Sequence, residues 1–317
     1  MKKIVIFGGG SGLSQLLKGI KLFPVEITAV VSVADNGGST GLLRRELKIP
    51  AVGDITKVML SMADTNQDVI DLMNYRFTKS KSLGIHSVKN LLLMALMDLK
   101  GNFASAMPVM EKLLDVKGNI LPLTEDNVDL VGITSSGKKV IGEHQLTKCA
   151  SKIVEVKYDK EITVNPKVIK AVKEADLIIF SSGSLLTSIV PHLIDKSLVD
   201  VINKAKGEKV YICNLFTQPG ETDGFTVKDH IDYLEKYLGK ESIDVVIAND
   251  EVISSDLAKK YRNEEQKDPV LLDMHELDES NIYVIKDKLF TIEDGWYRHD
   301  ALKTGYLLFS YLMDGRK

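Results

Sequence analysis

The residues best able to do chemistry sit at sharp turns after short apolar runs. Gly8-Gly9-Gly10-Ser11-Gly12-Leu13 follows the run at residues 2–7 and opens a helical pattern at residues 13–20. A strand that turns through glycines into a helix gathers unpartnered N–H groups and a positive dipole end at one point. Such a point suits an anion, most often phosphate. Gly8 and Gly10 match the first two glycines of G-x-G-x-x-G, but Leu13 holds the third place. No Lys-Ser or Lys-Thr follows, which excludes a P-loop. A glycine turn that binds nothing is the plain alternative.

A second turn, Ala34-Asp35-Asn36-Gly37-Gly38-Ser39-Thr40-Gly41, follows the run at residues 26–33. An acid at the position of Asp35 can hold a ribose, or it can join Asp54 around a hard cation such as Mg²⁺ bridging the phosphates of a nucleotide diphosphate. Asp54 can equally be a helix N-cap. His86 precedes an apolar helix, with Asn90 one turn on along the same face. Its imidazole suits ligand contact or acid–base work, or simple packing. Asp35, Asp54 and His86 are therefore the catalytic candidates, and Asp35 and Asp54 the metal candidates. Ser182-Gly183-Ser184 reads as an anion-holding helix start, because a nucleophile would call for G-x-S-x-G. Of Arg44 and Arg45, one is in place to reach a phosphate and the other to be solvated. Arg298-His299-Asp300 is either a charged site cluster or the first turn of the last helix. His144, His192, His230 and His275 read as structural, and Cys213 as an inert core thiol.

These turns need a scaffold that brings strand ends together. Strands are expected at residues 2–7, 26–33, 176–180, 209–214 and 243–248, each followed by small, polar or acidic residues. Helical patterns cover residues 54–63, 68–76 and 87–99, the last apolar almost all round and so expected in the core. Residues 102–160 change character: a helix at 103–114 precedes short strands at 128–134, 138–142 and 153–158. The expected fold is α/β, a three-layer Rossmann-like, doubly wound, mostly parallel sheet with a helical and β-hairpin insertion. Residues 1–317 read as a single such domain, with the insertion or small subdomain at 102–160.

Composition bounds the partners. A hydrophobic content of 44% suffices for a sizeable core, and a net charge of −3 gives no basic field for nucleic acid. The two cysteines have no CxxC spacing, which fits a reducing cytoplasm. The apolar run after Met1-Lys2-Lys3 is too short for a signal peptide, and no segment is long enough for a bilayer span. Abundant apolar helices raise homo-oligomerisation as an expectation.

Taken together, the two glycine turns, Gly53-Asp54-Ile55, His86-Ser87 with Asn90-Leu91-Leu92, and the block Asn214–Phe225 resemble the gluconeogenesis factor family, often called YvcK-like. That family lies in the superfamily of 2-phospho-L-lactate transferase. The resemblance runs from residue 1 to Asp300. It implies a cytoplasmic bacterial protein needed for cell shape during gluconeogenic growth, binding UDP-type nucleotide-sugars, with no reaction carried over and an unidentified cell-envelope or regulatory protein as partner. The transferase relatives imply the second reading, a metal-dependent transfer from a nucleotide-activated phospho-donor, with Asp35 and Asp54 on the metal. Departures from the pattern are Asn36 for an Asp, Thr56-Lys57 for Arg-Asn, Lys89 for Gly, and Ser181-Ser182 for Gly-Pro. The turns and the resemblance together give the expected ligand-contacting set: Gly8, Gly9, Gly10, Ser11, Gly12, Leu13, Asn36, Gly37, Gly38, Ser39, Thr40, Asn90, Gly183, Ser184, Asn214, Thr217, Gly220, Glu221, Thr222 and Arg298.

Overall fold

The computed structural model describes residues 1–37, 39–42, 51–77, 79–80, 84, 86–149, 151–293 and 295–315. Gly38, Arg44 and Arg45, singled out above, lie outside the described residues.

The apolar runs become strands because alternate residues serve two different layers. In β1 (Lys2–Gly8), Ile4 and Ile6 enter one core while Val5 and Phe7 enter the other. The same alternation holds in β7 (Leu177–Phe180), β8 (Glu208–Ile212) and β9 (Val245–Asn249). Strands covered on both faces read as continuous apolar runs, as parallel strands do. With β2 (Val25–Val31), β3 (Asn119–Pro122) and β10 (Tyr283–Asp287) they make a seven-stranded sheet in the order β10-β9-β8-β7-β1-β2-β3. Every neighbouring pair is parallel. The doubly wound expectation is met.

One layer holds α1 (Gly10–Ile20), α2 (Val52–Met62), α4 (Val88–Lys100), α5 (Phe103–Leu113) and the last helix, α12 (Ala301–Asp314). Helix α3 (Gln67–Asn74) packs beside α4. The other layer holds α7 (Pro166–Glu174), α8 (Lys196–Lys204) and α9 (Val227–Leu238). It also takes in β4 (Leu130–Thr134), β5 (Lys139–Ile141) and β6 (Ile153–Tyr158), a three-stranded antiparallel sheet in the order β5-β4-β6 flanked by α6 (Glu143–Thr147). Within residues 102–160, β3 joins the main sheet while β4 to β6 form this separate one. Helix α10 (Ser255–Glu265), the short α11 (Met274–Asp278) and the hairpin of β11 (Phe290–Glu293) and β12 (Trp296–His299) complete the fold.

Helix α4 differs from its expectation. Only Asn90, Leu93 and Met97 are buried, and Leu99 is 78% exposed. The helix is the outer member of its layer, so its second apolar face meets solvent. No helix of the described residues is long and apolar enough to cross a membrane.

The chain winds one way from β1 to β3 and the other from β7 to β10, so β1 and β7 flank the point where direction reverses. Open α/β sheets bind ligands there, at the carboxyl strand ends. A tight approach fixes that crevice. A Cβ on Gly12 would lie 1.9 Å from the Ser182 carbonyl oxygen, so helix α1 rests directly on the β7 turn. Gly12 thus does the close-packing work that the motif gives to its third glycine, while Leu13 is fully buried in the core. Gly12→Ala must push two backbones apart. It is expected to lower folding stability by about 1–3 kcal/mol, read as an earlier urea midpoint at unchanged slope.

Candidate ligand-binding site

Gly9 is the N-cap of α1 in extended conformation and offers no side chain, so the first-turn amides are left to outside partners. Gly10 turns into the helix at φ +55°, a left-handed value that glycine adopts freely. Its N–H meets the Asp54 carboxylate, which therefore caps α1 from across the cleft. Asp54 lies inside α2, whose own N-cap is Ala51, so the N-cap alternative for Asp54 fails for its own helix. Burial and then the neighbouring Asp35 raise its carboxyl to about 6, against the pull of Lys57 and the Gly10 amide. Asp35 sits on the other side of Gly53: a Cβ there would lie 2.7 Å from Asp35 Oδ2 and 2.1 Å from Thr40 Oγ1. Asp35 Oδ1 accepts the Gly37 N–H at 2.9 Å and so holds the second turn.

The β7 turn is capped the same way. Glu221, buried in the loop after β8, accepts from Ser184 Oγ, 2.8 Å from both its oxygens, and from the Leu185 and Leu186 amides. Burial dominates and raises it to about 7. Glu143, from the start of α6, reaches the same turn at the Thr187 hydroxyl. Burial and then Asp35, Asp54 and Glu221 raise it to about 7 as well. The Thr187 hydroxyl has one proton, and Ser184 Oγ stands 2.7 Å away ready to accept it. When Thr187 donates to Ser184, Glu143 must supply its own proton to hydrogen-bond Thr187. The four acids Asp35, Asp54, Glu143 and Glu221 thus share one electrostatic neighbourhood around the two turns.

On the other side of the turns lies a cleft of about 440 Å³. Ser11, Gly12, Gly183, Asn214, Thr217 and Arg298 of the expected set line it, with Lys18, Lys57, Glu293 and the ion pair of Lys267 and Glu265. Lys57 Nζ donates to Ser11 Oγ at 2.5 Å. Phe216 and Tyr261 stack at 3.9 Å and 9° to form an aromatic wall. A second hollow, of about 430 Å³, lies at the opposite strand ends near Lys3, Glu26 and Asn119, away from all the turns.

Other expected residues hold the framework. His86 Nδ1 lies 2.9 Å from Ser39 Oγ, Asn90 Nδ2 donates to Ser39 Oγ, and Thr56 Oγ1 donates to Asn90 Oδ1. His86 precedes α4 rather than lying on one of its faces, yet both side chains meet Ser39 Oγ, and the network ties the second turn to α2 and α4. Thr40 is buried beside Gly53. Asn36 joins Asp129 at 3.5 Å and the His144 amide at 3.0 Å, anchoring the second turn to the antiparallel sheet. Asn214 clasps both polar atoms of Gly183, accepting its N–H at 2.7 Å and donating to its carbonyl at 2.8 Å. Thr217 accepts from the Asp268 amide, Thr222 from the Gln218 amide, and the Gly220 N–H meets Asp223. His192, read as structural, is fully buried under Gly8, with Nε2 3.1 Å from its carbonyl. Asp300 caps α12, while Arg298 and His299 end β12. Sequence reasoning missed Glu143, Tyr261 and Lys267. Glu143 had a signal in following a strand and a glycine; the other two lie on or just after α10, which is not a strand end.

The family profile described as 2-phospho-L-lactate transferase CofD matches residues 4–290. The chain is similar to the gluconeogenesis factor of Bacillus subtilis (strain 168), 42% identical over 313 residues and 98% of each chain. It is 38% identical over 309 residues to the gluconeogenesis factor of Halalkalibacterium halodurans, covering 95% of this chain and 94% of that one. Two crystal structures of a Bacillus halodurans protein, one described as a member of the UPF0052 family, match with TM-scores of 0.93 and 0.92. Both are 37% identical and cover 97% of this chain and 99% of theirs.

Asp54, Glu143 and Glu221 hold protons more tightly folded than unfolded, with folded values of about 6, 7 and 7 against 3.8, 4.5 and 4.5. Folded chains then carry more protons than unfolded ones between about pH 4 and 7, so stability from these groups falls as pH rises through that window. The melting temperature is expected to drop between pH 5.5 and 7.5, and Glu221→Gln to flatten the drop. A scan in which Glu221→Gln falls as steeply as the parent would contradict the assignment.

Proposed function

The chain belongs to the 2-phospho-L-lactate transferase CofD family, and from that premise we propose that it binds a nucleotide-sugar of UDP type, or a related diphosphate, where β1 and β7 part. Bound ligand makes it a cytoplasmic regulator of cell shape during gluconeogenic growth, read by a cell-envelope or regulatory protein. The observation that carries this reading is one cleft combining the first turn of α1, Lys18, Lys57 and Arg298 with the Phe216–Tyr261 wall. Amides and cations suit a diphosphate, and an aromatic wall suits the flat or apolar part of a nucleotide. The relatives' name, gluconeogenesis factor, supports the metabolic setting.

A second reading, transfer from a nucleotide-activated phospho-donor, is favoured by Asp35 and Asp54 flanking Gly53. Among the described residues, no three His, Cys, Asp or Glu side chains are grouped to hold a metal ion. Two carboxylates with the remaining positions left to water and phosphate oxygens is how Mg²⁺ commonly binds, so the residues fit that ion. It would neutralise two acids that now oppose each other and would draw charge from a phosphate.

Calorimetric titration with UDP-sugars, GDP and NAD, with and without Mg²⁺, separates these readings. Saturable binding of a UDP-sugar without turnover is expected, weakened about tenfold or more by Arg298→Ala. No binding by any nucleotide would overturn the first reading. Mg²⁺-dependent product formation that collapses in Asp54→Asn would replace it with the second.

A further inference from the structure

Among the described residues, three buried side-chain atoms without a hydrogen-bond partner belong to the cleft beside the β1 turn. They are Nδ1 and Nε2 of His299 and Oε1 of Gln218, and both residues line that cleft. No such atom belongs to a residue lining the hollow at the opposite strand ends. A buried polar group left unpaired carries the cost of its lost hydration, and a ligand that pairs it recovers that cost. Both backbones are fixed. The Gln218 N–H donates to Thr222 Oγ1 at 2.9 Å, and its carbonyl accepts the Glu221 and Thr222 N–H groups at 3.1 and 2.9 Å. The His299 carbonyl accepts from Gln15 Nε2 at 3.0 Å, and its Cα stands in register with Phe290 across the hairpin. Burial pushes the His299 ring down to about 4. The imidazole is then neutral at about pH 7, with one nitrogen a donor and the other an acceptor. A neutral pair of this kind does not serve a phosphate, which has Lys18, Lys57 and Arg298 in the same cleft. It serves an uncharged group that both donates and accepts. Flat surface adjoins it. Tyr297 lies two residues before His299 in β12, on the same face of the strand, and its ring is 5.8 Å from Phe216. Phe216 in turn lies two residues before Gln218 and stacks on Tyr261.

We propose that Gln218 and His299 read the edge of the ligand's nucleobase while the aromatic wall takes its face, and that the base carries an imide edge, as uracil does. An imide presents a carbonyl, an N–H and a second carbonyl in a row. The N–H meets the Gln218 oxygen, and a flanking carbonyl meets the imidazole N–H. This rests on the reading that the diphosphate lies at the β1 turn, because the base must then fall within the same cleft. Charged side chains hold the phosphates, and the two neutral ones choose which nucleotide carries them.

UDP, UDP methylated at ring N3, and pyrophosphate, each titrated into the full-length protein, separate the base from the phosphates. UDP is expected to bind about tenfold or more tighter than pyrophosphate, and the methyl group, which removes the proton offered to Gln218, to cost about tenfold. Gln218→Met and His299→Phe should each weaken UDP by about tenfold and leave pyrophosphate within about twofold. Gln218→Met should also bind UDP and its methylated form alike, a loss of discrimination that a merely structural role would not produce. His299→Gln, which keeps a donor and an acceptor, should recover most of the affinity. Melting curves confirm that the variants fold, and the methylated nucleotide decides the matter in the parent protein alone. Equal affinities for UDP and pyrophosphate, full binding of the methylated form, or a methyl penalty undiminished in Gln218→Met overturn the base reading and leave the diphosphate reading standing. Binding of neither UDP nor pyrophosphate overturns both.

Discussion

Helix α1 can approach the β7 turn only because Gly12 has no side chain to collide with the Ser182 carbonyl. That contact sets the geometry on which the site depends. It holds the amino end of α1 beside the turn where β7 ends, at the place where the sheet reverses its winding. His192 supports it from below through the Gly8 carbonyl, and Asn214 fixes the facing peptide of Gly183. Two separate strand–turn units become one crevice, and residues from distant parts of the chain can act on one molecule.

Four acids gather around the turns, and the neighbouring cleft holds Lys18, Lys57, Arg298, the Lys267–Glu265 ion pair, Glu293 and stacked rings. Two of the acids occupy positions where a phosphate would be welcome. Asp54 takes the Gly10 amide, and Glu221 takes those of Leu185 and Leu186. A helix start satisfied by an internal carboxylate is stable without ligand, and it competes with any anion seeking the same N–H groups. Ser11 and Gly12, in the same first turn, line the cleft beside Lys57.

Much of the scaffold was legible because burial on both faces gives strands a continuous apolar signature. β1, β2, β7, β8 and β9 fall within two residues of their expected limits. β3 and β10 were not foreseen: they are edge strands, and burial on fewer sides leaves less pattern to read. The hairpin of β11 and β12 mixes charged and aromatic residues and has no clean alternation. At the site, the glycine turns announced themselves, since few other sequences turn so sharply. Which partner each residue would choose was not readable. Glu221 and Ser184 were both expected at a ligand, and they hydrogen-bond each other. Asn36 faces the antiparallel sheet, and Thr217 and Thr222 close their own loop. Those choices depend on contacts between segments far apart in the chain.

The central place of β1 has a consequence for how the protein is made. Ile4 pairs with Ile27 on one side and with Leu177 on the other. During synthesis the first edge is covered early, whereas the second stays open until more than half the chain has left the ribosome. An unpaired apolar strand edge invites pairing with the wrong chain, and closing so distant a pair makes folding slow. The nascent polypeptide therefore passes through a long interval in which its future binding crevice is a sticky ledge, and production at high temperature or high rate should stress that interval before any other.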